Sequence, residues 1–205
     1  MIVDLIPKGA KNRPGGKNTM QYITLHDTGN PARGANALNH AKYLKNGPSV
    51  SWHYTVDDIR VVQHLPDSES AWHTGTNKGN TTSIGIEVCI NSDGNLKAAY
   101  DRAAVLCATL CRAHGIPAAN IVQHNFWNGK DCPKTMRAGS PYSFGTFLSR
   151  VKEHLEGETM DQNTSSDWVK ELWEQAKALG ITDGTRPRDP ATREEVVAML
   201  MRAVR

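Results

Sequence analysis

The chain has 205 residues, of which 39% are hydrophobic and 22% charged. This is the composition of a globular protein with room for one full domain and a smaller second one, and it excludes a disordered chain. Lys+Arg 24 against Asp+Glu 21 gives a formal net charge of +3, short of the dense basic stripe of a duplex binder, so no nucleic-acid partner is expected. No apolar run approaches the roughly 18 residues of a membrane span, and the start, MIVDLIPKGAKNRPGGK, is too polar for a secretory signal. Synthesis in the cytoplasm and no membrane partner are the expectations. The four cysteines, Cys89, Cys107, Cys111 and Cys132, form neither a CxxC knuckle nor a disulfide framework, so free thiols are expected.

In chain order, residues 22–26 (YITLH) alternate as a strand and break at Asp27-Thr-Gly-Asn. Ala37, Leu38, Ala41 and Leu44 then repeat at helical spacing until Gly47-Pro48. Residues 52–63 read as a strand or hairpin with Asp57-Asp58 at the bend, and residues 83–90 (SIGIEVCI) are the cleanest period-two run. A long helix follows, with Leu96, Ala99, Ala103, Leu106, Cys107 and Leu110 on one face and Gly115 ending it before Pro117. Residues 121–124 are a further short strand, and Phe144, Phe147, Leu148, Val151 and Leu155 mark a last helix. Strands interleaved with helices imply an α/β domain with a mixed central β-sheet flanked by helices.

The polar stretch 157–166 (GETMDQNTSS) reads as a linker, dividing a first domain, 1–156, from a C-terminal segment, 167–205. Up to Thr159 the chain carries 17 basic and 13 acidic residues, and beyond it 7 and 8, so the basic character belongs to the first domain. In the C-terminal segment Asp167 is placed to cap a helix with Trp168, Leu172, Ala176 and Leu179, which Gly180 ends. Thr192-Arg-Glu-Glu195 is a capping box for a second helix with Val196, Val197 and Leu200. A helical hairpin is expected there.

Eight histidines are present, and two of them, His26 and His124, close short strands. Cys132 follows His124 in a loop rich in Gly and Pro. Two imidazoles and one thiolate would leave tetrahedral Zn²⁺ one open position, as catalytic sites do, whereas each His alone also reads as a hydrogen-bonded structural residue. Glu87 shares a strand face with Gly85, opposite Ile84, Ile86, Val88 and Ile90. A carboxylate in so apolar a strand requires a partner or an open cleft, unless the strand is an edge with a solvated outer face. Lys130 lies two residues before Cys132, while Cys107 and Cys111 fit the apolar face of the long helix. Trp52-His53 and Trp72-His73 read as the lining of a ligand groove or as packed tryptophans with polar neighbours.

Taken together, LHDTGN with His26, SWHYTV with Trp52 and His53, AWHTG with His73, SIGIEV with Glu87, QHN with His124 and GKDCP with Lys130 and Cys132 resemble the type 2 N-acetylmuramoyl-L-alanine amidases. That family includes phage endolysins and is related to the peptidoglycan-recognition proteins. The resemblance covers about residues 18–155. It implies zinc on His26, His124 and Cys132 and catalytic roles for Glu87 and Lys130, and the groove residues Trp52, His53, Trp72 and His73 are then the candidate substrate contacts. The implied reaction is hydrolysis of the amide between the lactyl group of N-acetylmuramic acid and L-alanine, with peptidoglycan as partner and action on the cell wall after release, as at phage lysis. Some members place a catalytic tyrosine where this chain has Trp52, which shifts the proton chemistry to Glu87. The segment ALGITDGT…ATREEVVAMLMRA is similar to a single S-layer homology motif, which implies a secondary cell-wall polymer as a second partner or self-association into a homo-oligomer through its helices. Two rival readings are a non-catalytic peptidoglycan-binding module of the same fold, and a structural zinc completed by Asp131 or His73.

Overall fold

The computed structural model describes residues 1–157 and 170–183, with single positions 196 and 200. The chain forms two compact units, Met1–Leu155 and Glu156–Arg205. In the first, six strands form one sheet: β1 (Ile2–Val3), β2 (Tyr22–Asp27), β3 (Tyr54–Val56), β4 (Val61–Gln63), β5 (Ser83–Val88) and β6 (Ile121–Gln123), in the order β1-β4-β3-β5-β2-β6. Only β3 and β4 run antiparallel, as a hairpin; the other pairs are parallel. Helices α1 (Ala37–Lys45), α2 (Asn77–Thr82), α3 (Leu96–His114), α4 (Asn125–Asn128), α5 (Lys134–Arg137) and α6 (Phe144–Gly157) complete this unit. The expected mixed sheet flanked by helices is the observed fold. None of the described helices is long and apolar enough to cross a membrane.

The sheet has two chemically different faces, and the difference follows from the period of two along each strand. Ile23 and Leu25 of β2, Tyr54 and Val56 of β3, Ile84, Ile86 and Val88 of β5 and Ile121 of β6 pack with Ala103, Leu106 and Cys107 of α3 and Phe147 and Val151 of α6 in the main core. The alternate positions Thr24, His26, Thr55, Ser83, Gly85 and Glu87 lie on the opposite face. The register sets His26 beside Glu87, and Glu87 beside Thr55. Strand β5 is paired on both sides, so Glu87 is not on a solvated edge strand; it stands in the middle of the sheet, facing a cleft.

Helix α3 is held at both ends. The Asn95 side chain accepts from the Ala98 N–H, and Gly115 takes the left-handed conformation, with φ 66°, that closes the helix. All four cysteines are free and buried, and Cys107 and Cys111 belong to the apolar core as small hydrophobes. In the second unit the described helix is α7 (Lys170–Ala178), followed by a turn in which Gly180 has φ 70°. Leu172 and Leu179 are exposed. Asp167, Trp168, the capping box 192–195 and Val197 lie outside the described residues.

Candidate metal centre and cleft

The carboxyl ends of β2, β5 and β6 open onto a cleft of about 680 Å³, where side chains on neighbouring parallel strands converge. His26 lies at the end of β2 and His124 directly after β6. Their Nδ1 atoms are 3.0 Å apart, and Cys132 Sγ is 3.8 Å from His26 Nδ1. Ligand atoms of all three lie within 4.8 Å of one another, the one such group among the described residues. All three residues are buried.

The local chemistry fits a cation bound by this trio. His124 Nε2 faces the Thr74 carbonyl at 3.1 Å. A carbonyl only accepts, so Nε2 carries the proton, and Nδ1 of the neutral ring presents a bare lone pair toward His26 and Cys132. Burial lowers the proton affinity of both rings, so neither relieves the crowding by taking a proton near neutrality. The Cys132 thiol is pushed up to about 12, chiefly by burial and then by Glu87. A divalent cation would reverse that preference and ionise the thiol. Soft sulfur with two imidazoles is a zinc-type donor set that leaves the fourth position open.

Glu87 stands next to this group, with Oε1 3.9 Å from His26 Nδ1 and Oε2 buried without a hydrogen-bond partner. Burial, followed by the nearby Asp27 charge, raises its pKa well above the ordinary carboxylate value, while Lys130 works in the opposite sense. Lys130 itself is exposed at the cleft rim. Its loop is clasped by Asn125, whose Nδ2 donates to the Lys130 carbonyl at 3.0 Å and whose backbone N–H donates to the Cys132 carbonyl at 3.0 Å.

The four groove residues separate. Trp52, Trp72 and His73 line the cleft, Trp72 exposed and Trp52 buried with its indole N–H on Thr55 Oγ1 at 2.7 Å. His53 does not line it. Its Nδ1 accepts from the Gly85 N–H at 2.9 Å and its Nε2 faces the Glu69 carbonyl at 2.8 Å, so both nitrogens serve the backbone and the ring ties the start of β3 to β5. His73 Nδ1 lies 2.9 Å from His26 Nε2, on the side of His26 away from the other ligand atoms, and Asp131 is paired with Arg137 at 2.7 Å. Neither completes a four-ligand structural site.

Two contributions escaped the sequence. Asp27 Oδ2 accepts from the Thr135 N–H at 2.8 Å and hydroxyl at 2.6 Å, while its Oδ1 accepts from Tyr100 at 2.6 Å, which fixes the turn just past Cys132. The signal available was an acid directly after a candidate ligand, in a segment with no basic neighbour. Helix α1 supplies His40 and Tyr43 to the cleft wall, one turn apart on its surface, and Tyr43 stacks on Trp52 with ring centroids 6.4 Å apart.

The fold and this face define a class: mixed α/β domains with a two-histidine, one-cysteine centre at the carboxyl ends of parallel strands. Residues 16–135 match the family described as N-acetylmuramoyl-L-alanine amidase, and the chain belongs to that family. It is 50% identical over 139 residues to the N-acetylmuramoyl-L-alanine amidase XlyA of Bacillus subtilis (strain 168), across 66% of this chain and 47% of the relative. With CwlH of the same organism it shares 47% over 137 residues, 65% of this chain and 55% of the relative. A further relative, CwlA, is 33% identical over 193 residues, 90% of this chain and 70% of the relative. The solved catalytic domain of XlyA is similar with a TM-score of 0.70 at 46% identity, over 73% of this chain and 97% of that one. The chain spans about half the length of XlyA and CwlH.

Proposed function

We propose that this chain is a zinc-dependent peptidoglycan hydrolase that cleaves the amide between the lactyl group of N-acetylmuramic acid and L-alanine, acting on the cell wall as an endolysin does. One observation carries the reading: His26, His124 and Cys132 converge beside Glu87, whose Oε2 is buried without a hydrogen-bond partner, in an open cleft. Zinc, when bound by His26, His124 and Cys132, would lower the pKa of water toward about 7 and polarise the scissile carbonyl. Glu87 would accept the proton of the attacking water and deliver it to the departing amine as the C–N bond breaks, leaving a lactyl carboxylate and a free alanine amino terminus. The Lys130 ammonium at the rim would stabilise the developing oxyanion. Trp52 and Trp72 would contact substrate along the cleft wall, with the exposed Trp72 face suited to a sugar ring.

The domain division follows the same proposal: an amidase domain over 1–156, a linker over 157–166, and a C-terminal module over 167–205. The module's likeness to an S-layer homology motif supports contact with a secondary wall polymer, and its exposed leucines support self-association. The test is direct. Purified protein is incubated with cell walls, and new alanine amino termini are counted with and without a chelator. Chelator-sensitive release supports the reading. Tight wall binding without release would support the non-catalytic module instead.

A further inference from the structure

The group that orients His26 is itself oriented, by a run of hydrogen bonds with a fixed direction. Trp127 Nε1, which can only donate, gives its proton to Thr24 Oγ1 at 2.9 Å. Thr24 Oγ1 donates to Ser83 Oγ at 2.9 Å, and Ser83 Oγ donates to the Gly79 carbonyl, which can only accept, at 2.7 Å. With its one proton committed, Ser83 Oγ offers His73 Nε2 only lone pairs, at 3.5 Å. His73 Nε2 is therefore the protonated nitrogen and Nδ1 the bare one. His73 Nδ1 faces His26 Nε2 at 2.9 Å, so His26 must donate from Nε2, leaving its own Nδ1 bare and aimed at His124 and Cys132.

The place for the His73 ring is also built. A Cβ at Gly85 would stand 2.7 Å from His73 Nδ1 and 2.8 Å from Cγ and Cε1, so the ring lies against bare backbone of β5. His73 is buried at the inner wall of the cleft.

We propose that His73 is a positioning residue: as a hydrogen-bond acceptor whose tautomer is set by Trp127, Thr24 and Ser83, it presents His26 Nδ1 in the form that binds metal before the metal arrives. This inference rests on the zinc reading above and adds a residue outside the ligand set. Partners of this kind are worth about 10- to 100-fold in metal affinity.

The experiment compares the full chain with His73→Asn, His73→Leu and Ser83→Ala. Asn keeps an acceptor near the position of His73 Nδ1, and Leu has nearly the same shape without it. Zinc affinity is read by chelator competition, folding of the metal-free chains by thermal unfolding, and ring tautomers by ¹⁵N NMR of the metal-free wild type. The expected results are Nε2-protonated His26 and His73 in the wild type, an affinity loss of about 10- to 100-fold in Leu, a smaller loss in Ser83→Ala, and recovery of most of the affinity in Asn. Wild-type affinity in Leu, equal losses in Asn and Leu, or a proton on His26 Nδ1 in the metal-free wild type would each overturn the role of His73 alone. A wild-type chain that takes up no zinc would overturn the metal reading with it.

Discussion

At the scale of single residues, the centre combines groups that are unstable neighbours without a cation. Each of His26, His124 and Cys132 contributes one atom to a trio with no spare member among the described residues. Cys132→Ser or His26→Ala should therefore lose zinc and wall hydrolysis together, which metal analysis and amino-terminus release would read side by side. Glu87 behaves differently, since it touches the centre without belonging to the trio. Glu87→Gln should retain zinc and lose about 10²- to 10³-fold in turnover. It should also stabilise the metal-free protein. An unfolded Glu ionises near 4.5, whereas burial raises Glu87 well above that. Between the two values the folded chain binds more protons than the unfolded one, so the wild type loses stability as pH rises above about 4.5. Removing the ionisable group should therefore give a higher Tm near neutral pH and a vanishing difference below about pH 4. An unchanged Tm at neutral pH would mean that Glu87 finds a partner in solution.

At the scale of elements, what was legible in the sequence is what periodicity carries. The alternation in 83–90 and 22–26 marks strands and their faces, observed at Ser83–Val88 and Tyr22–Asp27, and the apolar spacing from Leu96 to Leu110 with Gly115 marks the long helix and its end. Short polar elements escaped: α2 (NKGNTT) has no apolar face and owes its start to the Thr76 hydroxyl accepting from the Gly79 N–H. The trio was legible because strand ends bring residues together in a parallel sheet. The distinct duties of His53 and His73 were not, because both depend on which backbone lies beneath each ring. Gly85 decides the second, so Gly85→Ala should push the His73 ring aside, cost about 1–3 kcal/mol in stability and weaken zinc binding in the same variant. The β3–β4 hairpin holds a further device. His64 is fully buried, with Nε2 2.8 Å from Thr55 Oγ1, and burial pushes it down to about 4. An unfolded imidazole titrates near 6.5, so the unfolded chain binds more protons between those values. Stability is complete above about pH 6.5 and falls as pH drops toward about 4, by about 3 kcal/mol for this residue. His64→Gln should flatten that acid limb, measured as urea midpoints of the metal-free chain at about pH 7.5 and about pH 4.5.

At the scale of the molecule, the two compact units pose different stability problems. The first has a continuous core across β2, β3, β5, β6, α3 and α6, and the solved catalytic domain of XlyA, similar over 73% of this chain, is a protein of this extent. The second has about 50 residues by the same division, a size at which a hydrophobic core alone is marginal. The chain has no cysteine beyond Cys132 to staple it. Its described helix α7 carries Leu172 with Leu179 just after it, both exposed, so part of its apolar surface is available for another copy of the chain or a wall polymer. Ending the chain at Gly157 should accordingly leave turnover of small soluble muropeptides within about twofold of the full chain, because all the residues around the centre precede that point, while action on whole walls falls with the lost contacts. Light scattering and wall sedimentation on both forms separate the two roles of the segment. A dimeric full chain with a monomeric truncated form assigns it to self-association, and a monomeric full chain that sediments more strongly with walls assigns it to polymer contact. A monomeric full chain whose wall binding equals that of the truncated form would leave the segment with neither role.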